Sequence, residues 1–299
     1  MNSIPQAELG IIGGSTTWGA RFPEDFPELG LYVLAHVEEQ TPPFGTSAPL
    51  KLLEYKDRRI LYVGMHGCFP NDGEVIHPYW ASKQLAWIYK NAGVFAVLGG
   101  GSVGGIQTSK GERLPRWSVV IPDDFMMEPA VIVVPQGRTT WSIRESLFYR
   151  MALPFDPILS QVLYKQALAQ NTDDQFPVVQ IGGIYTCTPL GRFETKAEIL
   201  RAKRDGGTVV GQTIGHETIE LRNAQIPFAV INIVSNDAEG DNWVDDYPNG
   251  MAEFYWECPE SMARVIASSA KRILDESIKP TSLTPLALTN LESFPVQGA

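Results

Sequence analysis

Six short segments carry residue types whose chemistry suits a small polar ligand. Gly13-Gly14-Ser15-Thr16-Thr17 follows an apolar run at residues 9–12, where glycines permit a sharp turn and free amides with hydroxyls make an anion cradle. It is neither a P-loop nor a GxGxxG, and an ordinary tight turn is the alternative. His66, in Gly64-Met65-His66-Gly67, also follows an apolar run, at residues 60–63. Residues 99–105 contain five glycines after the run 94–98, so the backbone either loops there or lies pressed against something, such as a ligand at a strand end. Residues 185–198 place Glu194 beside a helix start, where a carboxylate also serves the helix dipole. Gly211-Gln212-Thr213 is a strand-to-helix turn leading to Glu217, and its threonine suits phosphate, sugar or an N-cap. Ser235-Asn236-Asp237 ends the apolar run 228–234, a position for base recognition or proton transfer, or for a satisfied turn.

The elements that position these segments alternate. Apolar runs at 9–12, 60–63, 94–98, 130–134, 178–185 and 228–234 are expected to be buried strands. Helical stretches are expected at 79–91, 157–170, 195–204 and 259–278, the last with Pro259 in its first turn. Met262, Val265, Ile266, Ala270, Ile273 and Leu274 follow helical spacing. The alternation specifies an α/β fold with a largely parallel or mixed central sheet. No repeat or linker divides the chain, so residues 1–278 are expected to form a single domain. Residues 279–299 lose helical periodicity and gain proline, as an extended C-terminal arm does.

The 299 residues carry a formal net charge of −10, which argues against nucleic acid or an anionic membrane as partner while leaving room for a local anion pocket. No apolar segment approaches the roughly 20 residues that span a bilayer. Cys68, Cys187 and Cys258 show no CxxC spacing, so neither a metal site nor a disulfide framework is expected. The N-terminus lacks the pattern of a signal peptide, and a cytoplasmic protein is expected.

The segments IIGGST, MHG, HPYWASKQLAWIYKNAG with its glycine-serine loop, PDDF, MALPFDP, YTCTPLGRFETKAEI, GGTVVGQTIGHETIEL and VSNDAEG occur in an order and spacing that resemble one family. It is that of the trimeric purine nucleoside phosphorylases and methylthioadenosine phosphorylases, matched from about Leu9 to Leu274. The resemblance implies a twisted mixed sheet flanked by helices, assembled as a homotrimer or a dimer of trimers. It implies phosphorolysis of a purine nucleoside, with phosphate as co-substrate and no cofactor or metal. Position by position, Ser15, His66 and Thr213 fall at phosphate contacts. Gln212 takes the place of a methionine that packs on the ribose. Phe193 and Glu194 match the phenylalanine-glutamate pair of the base pocket of 6-oxopurine enzymes, with Gly99 and Gly100 lining it. Asn236 stands where those enzymes carry asparagine and adenine-specific members carry aspartate. Asn236, Asp237 and Glu194 are the expected catalytic groups. Glu194 accepts from N1–H of a 6-oxopurine and the Asn236 amide donates to O6 or N7, whereas Asp237 in that role would reopen adenine.

Three positions depart from the family. Met65 replaces an arginine before the His-Gly, Leu98 replaces a threonine of the methylthioadenosine branch, and Pro189-Leu190-Gly191 replaces Glu-Gly-Pro with Arg192 kept. Losing an arginine beside a phosphate dianion costs on the order of several kcal/mol, about three decades in affinity, unless Arg192 or another cation compensates. Phosphorolysis, a phosphate-independent reaction on the same scaffold such as hydrolysis, and a non-catalytic nucleoside-binding role are the three readings.

Overall fold

The computed structural model describes residues 4–69, 73–127, 147–149, 151–239, 249–281 and 287–290. The expected strand at 130–134 lies outside them. A mixed sheet forms around β1 (Leu9–Ile12), β2 (Tyr32–Val37), β3 (Leu50–Tyr55) and β4 (Arg58–Val63). After α1 (Pro78–Asn91) it continues through β5 (Ala96–Gly105), β6 (Val119–Ile121) and β7 (Asp124–Met127). β8 (Leu147–Tyr149) stands apart. Next come α2 (Pro157–Gln170), β9 (Val179–Ile181), β10 (Ile184–Cys187), α3 (Lys196–Arg204) and β11 (Gly207–Gly211). α4 (Ile214–Asn223), β12 (Phe228–Asp237), α5 (Asn249–Asp275) and β13 (Ala287–Asn290) complete the chain.

The sheet forks at β5. One edge of β5 pairs parallel with β1 at its start, from Ala96 to Gly99, and antiparallel with β11 at its end, at Gly104 and Gly105. The other edge pairs with β12 along almost its whole length. Between the two partners of the first edge, residues 100–103 are left open, and the loops after β1, β4 and β11 converge there. A crevice where strand partners diverge is where open α/β sheets bind ligands.

Each sheet face buries an apolar layer. One side packs α2 and α5 through Leu159, Leu163, Met262, Ile266 and Ile273, and the other packs α1 and α4 through Leu85, Ile88, Tyr89, Ile214 and Leu221. The central strands are therefore apolar on both faces, and their hydrophobic runs are continuous rather than alternating. Cys68, Cys187 and Cys258 are free and buried. None of the described helices is long and apolar enough to cross a membrane.

Three expected boundaries are corrected. The glycine run is not a loop beyond the strand, because β5 continues through it to Gly105. Its glycines are a packing requirement: a Cβ on Gly99 would meet the Phe228 ring at 2.9 Å and one on Gly100 would meet Ile266 at 2.8 Å. The run at 178–185 is two strands, because Gly182 and Gly183 at φ 88° and 122° turn the chain between them. Finally, α5 begins at Asn249, so Pro259 lies inside it rather than in its first turn. Phe254 and Cys258, both fully buried ahead of the proline, supply tertiary packing that outweighs the missing backbone hydrogen bond.

The root of the C-terminal arm is tied down. Asp156 caps α2 by accepting from the amides of Ile158 and Leu159, and its second oxygen accepts from Thr281 N at 2.7 Å. Farther on, β13 pairs antiparallel with β8.

Candidate active site

The first loop crosses the open edge of β5 at Gly14. A Cβ on this residue would lie 2.0 Å from Gly100 O and 2.4 Å from His66 Nε2, so only glycine lets the loop pass this close to both. Two hydrogen-bonded series run from this crossing, one on each face of β5.

On the α5 face, Ser15 Oγ lies 2.6 Å from Ser102 Oγ and accepts from Ser102 N at 3.0 Å. The open strand edge thus finds its partner in a side chain. Ser102 Oγ continues to Tyr255 OH at 2.9 Å, and the Tyr255 hydroxyl also bonds Ser235. Ser235 Oγ donates to Asn236 Oδ1 at 2.7 Å, and Asn236 Nδ2 donates to Asp237 O at 2.9 Å. This leaves Nδ2 a second hydrogen for a ligand.

On the α4 face, Met65 and His66 both adopt left-handed backbone, at φ 44° and 59°. Such a pair costs on the order of 1–3 kcal/mol per residue and persists only where its surroundings fix it. Here His66 N donates to Gly13 O at 2.9 Å, and Nδ1 lies 2.6 Å from Glu217 Oε1. Nε2 faces Thr213 Oγ1 at 3.4 Å. Thr213 is the N-cap residue of α4, yet its side chain makes no capping bond, so the hydroxyl is turned towards the histidine. Gln212 Nε2 donates to Arg192 O, and the Gly211 carbonyl accepts from Thr188 N at 2.9 Å. Thr188 Oγ1 in turn donates to Glu194 Oε1 at 2.5 Å.

Glu194 is only 8% exposed and is not a helix-end carboxylate; Thr195 and Glu198 form the capping box of α3 instead. Phe193 beside it is half exposed. The expected residues Ser15, His66, Thr213, Gln212, Glu194 and Asn236 therefore fall on the two series. Gly99 and Gly100 instead meet core side chains, and Asp237 is held apart by a two-pronged ion pair with Arg113, at 2.6 and 3.3 Å.

The sequence reading missed Ser102, Thr188, Tyr255 and Arg113, and saw Glu217 only as the residue after a turn. For Ser102, Tyr255, Arg113 and Glu217 the partners lie far away in the chain, 151 residues for Glu217 and His66, and no local spacing signals them, whereas Thr188 and Glu194 are six residues apart.

Met65 lines a cavity of about 300 Å³ with Thr17, Trp18, Arg21, Phe22, Lys51 and Tyr62. Burial pushes the Tyr62 phenol up to about 12, so it stays neutral. The cations nearby are engaged: Arg21 with Asp25 at 2.7 Å, and Lys51 with Glu24 at 2.7 Å. Arg192 does not substitute for the missing arginine either, because both its terminal nitrogens bond Glu198. Leu98 is fully buried in the layer beneath α5 and does not reach the crevice. Among the described residues, no group of three or more His, Cys, Asp or Glu side chains is placed to hold a metal ion.

A profile of the Phosphorylase superfamily matches residues 8–278. A probable S-methyl-5′-thioinosine phosphorylase of Methanopyrus kandleri is 28% identical over 240 residues, spanning 80% of this chain and 81% of its own. A probable 6-oxopurine nucleoside phosphorylase of Moorella thermoacetica is 28% identical over 235 residues, spanning 78% and 80%. Among solved structures, a methylthioadenosine phosphorylase from an antarctic soil metagenomic library shares the fold with a TM-score of 0.74 and 18% identity, over 95% of this chain and 92% of that one. With the profile covering nearly the whole sequence, the chain belongs to the phosphorylase superfamily.

Proposed function

We propose that this protein cleaves the N-glycosidic bond of a purine nucleoside, with a 6-oxopurine as the base and phosphate as the nucleophile. The observation that carries the reading is the convergence at Gly14 of two hydrogen-bonded series, each ending at a base-reading group, Asn236 or Glu194. The bond to the base stretches towards an oxocarbenium-like sugar, so the site must hold an anion beneath C1′ and stabilise the departing purine. Ser15, His66 and Thr213 would hold the anion and Gln212 would flank the ribose. Glu194 Oε2 would accept from N1–H while Asn236 Nδ2 donates to O6 or N7. Asp237, engaged with Arg113, leaves base reading to the asparagine. The two relatives named for S-methyl-5′-thioinosine and for 6-oxopurine nucleosides support a 6-oxopurine, since both substrates carry that base edge, while the methylthioadenosine phosphorylase that shares the fold is named for an adenine nucleoside.

A homotrimer or a dimer of trimers, in the cytoplasm, belongs to the same reading, with neither nucleic acid nor membrane as partner. Phosphorus NMR of the products from inosine and phosphate tests it. Ribose 1-phosphate appearing with hypoxanthine supports phosphorolysis, and free ribose with unchanged phosphate contradicts it. The second reading, attack by water, is favoured by Met65 and by the pairing of Arg21, Lys51 and Arg192 with carboxylates.

A further inference from the structure

Resting on the phosphorolytic reading, the series on the α5 face contains a device that couples the two substrates. Its polarity is fixed from the base end. Asp237 O can only accept, so Asn236 turns Nδ2 to it at 2.9 Å and Oδ1 to Ser235. The Ser235 hydroxyl gives its one hydrogen to Oδ1 at 2.7 Å, nearer than the Val103 carbonyl at 3.3 Å. In its bond with Tyr255 the phenol is therefore the donor. Tyr255 in turn accepts from Ser102 at 2.9 Å, and Ser102 accepts from Ser15 at 2.6 Å. Ser15 Oγ meanwhile accepts from Ser102 N at 3.0 Å. Each of these four hydroxyls has one hydrogen, and all four are spent inside the series.

Tyr255 is the link between the Ser15 end and the Asn236 end. Its ring lies beside Trp18 and Phe254, with centroids 5.5 Å from each. Pro259, four residues on, has no N–H for the Tyr255 carbonyl, and a Cβ on Gly19 would collide with that carbonyl. The first loop thus rests directly on α5 at this residue. Burial raises the phenol, which keeps its hydrogen.

We propose that Tyr255 couples anion binding to base binding by reversing the series. An anion at Ser15 takes the Ser15 hydrogen, after which Ser102 donates to Ser15, Tyr255 to Ser102 and Ser235 to Tyr255. Every proton stays on its own oxygen; only the direction of each hydrogen bond changes. The step leaves Asn236 Oδ1 without its donor, while Nδ2 keeps Asp237 O. An amide oxygen stripped of its donor gains from an N–H brought to it. Hypoxanthine carries an imidazole N–H that its nucleoside lacks, so anion and free base each raise the affinity of the other. Tyr255 is a positioning residue here, acting on the base only through Ser235 and Asn236.

The test is calorimetric titration of the full chain with hypoxanthine, first without phosphate and then with inorganic phosphate at saturation. The ratio of the two affinities is expected to be about fivefold or more, the worth of about one hydrogen bond. Titration with phosphate in the presence of hypoxanthine should return the same factor. Tyr255→Phe keeps the ring and removes the link, so its ratio should fall to about one. Ser102→Ala cuts the series one hydroxyl nearer the anion, in a chain that keeps Tyr255, and should do the same. A wild-type ratio of one overturns the proposal, as does a ratio that survives in either variant. If both ligands bind independently while base release requires phosphate, this inference alone fails. If phosphate does not bind and base is released without it, the phosphorolytic reading fails as well.

Discussion

His66 Nδ1 and Glu217 Oε1 lie 2.6 Å apart although 151 residues separate them. His66 sits at the end of β4 and Glu217 one turn into α4, and the fork of the sheet at β5 brings those ends together. The carboxylate fixes the ring so that its other nitrogen looks across the crossing at Gly14 towards Thr213.

Glu217→Gln keeps the shape of the side chain and removes the charge that holds the ring. A charge-assisted hydrogen bond of this kind contributes about 1.5–3 kcal/mol, so kcat/KM for phosphate should fall about 10–100-fold. The KM for inosine should stay within about twofold, since Glu217 touches nothing on the base side. Steady-state kinetics with each substrate varied in turn reads the difference, and equal losses for both would assign Glu217 a purely structural role.

Gly14→Ala drives a methyl group into Gly100 O and the imidazole, contacts of 2.0 and 2.4 Å that neither a strand backbone nor a pinned ring can relieve. Overpacking at such a site costs about 1–3 kcal/mol, and the melting temperature should drop by several degrees with loss of phosphate binding. An unchanged melting curve with intact binding would show that the loop does not cross β5 at this distance.

Much of the scaffold is legible in the sequence because its causes are local. The strand β1 ends at the glycines after Ile12, as expected, and the helix α2 spans the expected 157–170, opening at Pro157 behind its Asp156 cap. The glycines of β5 misled because their cause is not local: they are strand residues whose missing side chains make room for Phe228, Ile266 and the first loop. Pro259 misled for the same reason, since burial of Phe254 and Cys258 carries α5 through it. At the site, hydroxyls and amides after apolar runs were visible as candidates. Their partners Ser102, Tyr255, Glu217 and Arg113 come from elements that only the fold makes adjacent, while Thr188 reaches Glu194 within the connection between β10 and α3.

Asn236→Asp replaces an amide donor at the end of β12 by a carboxylate, in a position flanked by the Ser235 hydroxyl. A site built around one hydrogen-bonding edge rejects the other strongly, so use of adenosine relative to inosine should rise at least about tenfold. Competition between the two nucleosides in one reaction measures the ratio. No change in it would remove Asn236 from base recognition.

His216 makes folding sensitive to acid. Burial first, then the neighbouring His77, lowers it to about 4 in the folded protein from an ordinary 6.5. Between those values the unfolded chain binds a proton that the folded chain does not, so stability falls as pH drops from about 6.5 to about 4. The loss is at most about 3 kcal/mol. Urea unfolding across this range should show it, and His216→Gln should flatten the slope. A wild-type slope that persists in the variant would place the sensitive group elsewhere.

The most direct test is release of free base from inosine, guanosine, S-methyl-5′-thioinosine, adenosine and methylthioadenosine, each with and without phosphate. The site assembled from Glu194, Asn236, His66 and Thr213 predicts release from the 6-oxopurine nucleosides only when phosphate is present, with both adenine nucleosides at least about tenfold slower. Preference for an adenine nucleoside, or release at the same rate without phosphate, would contradict it.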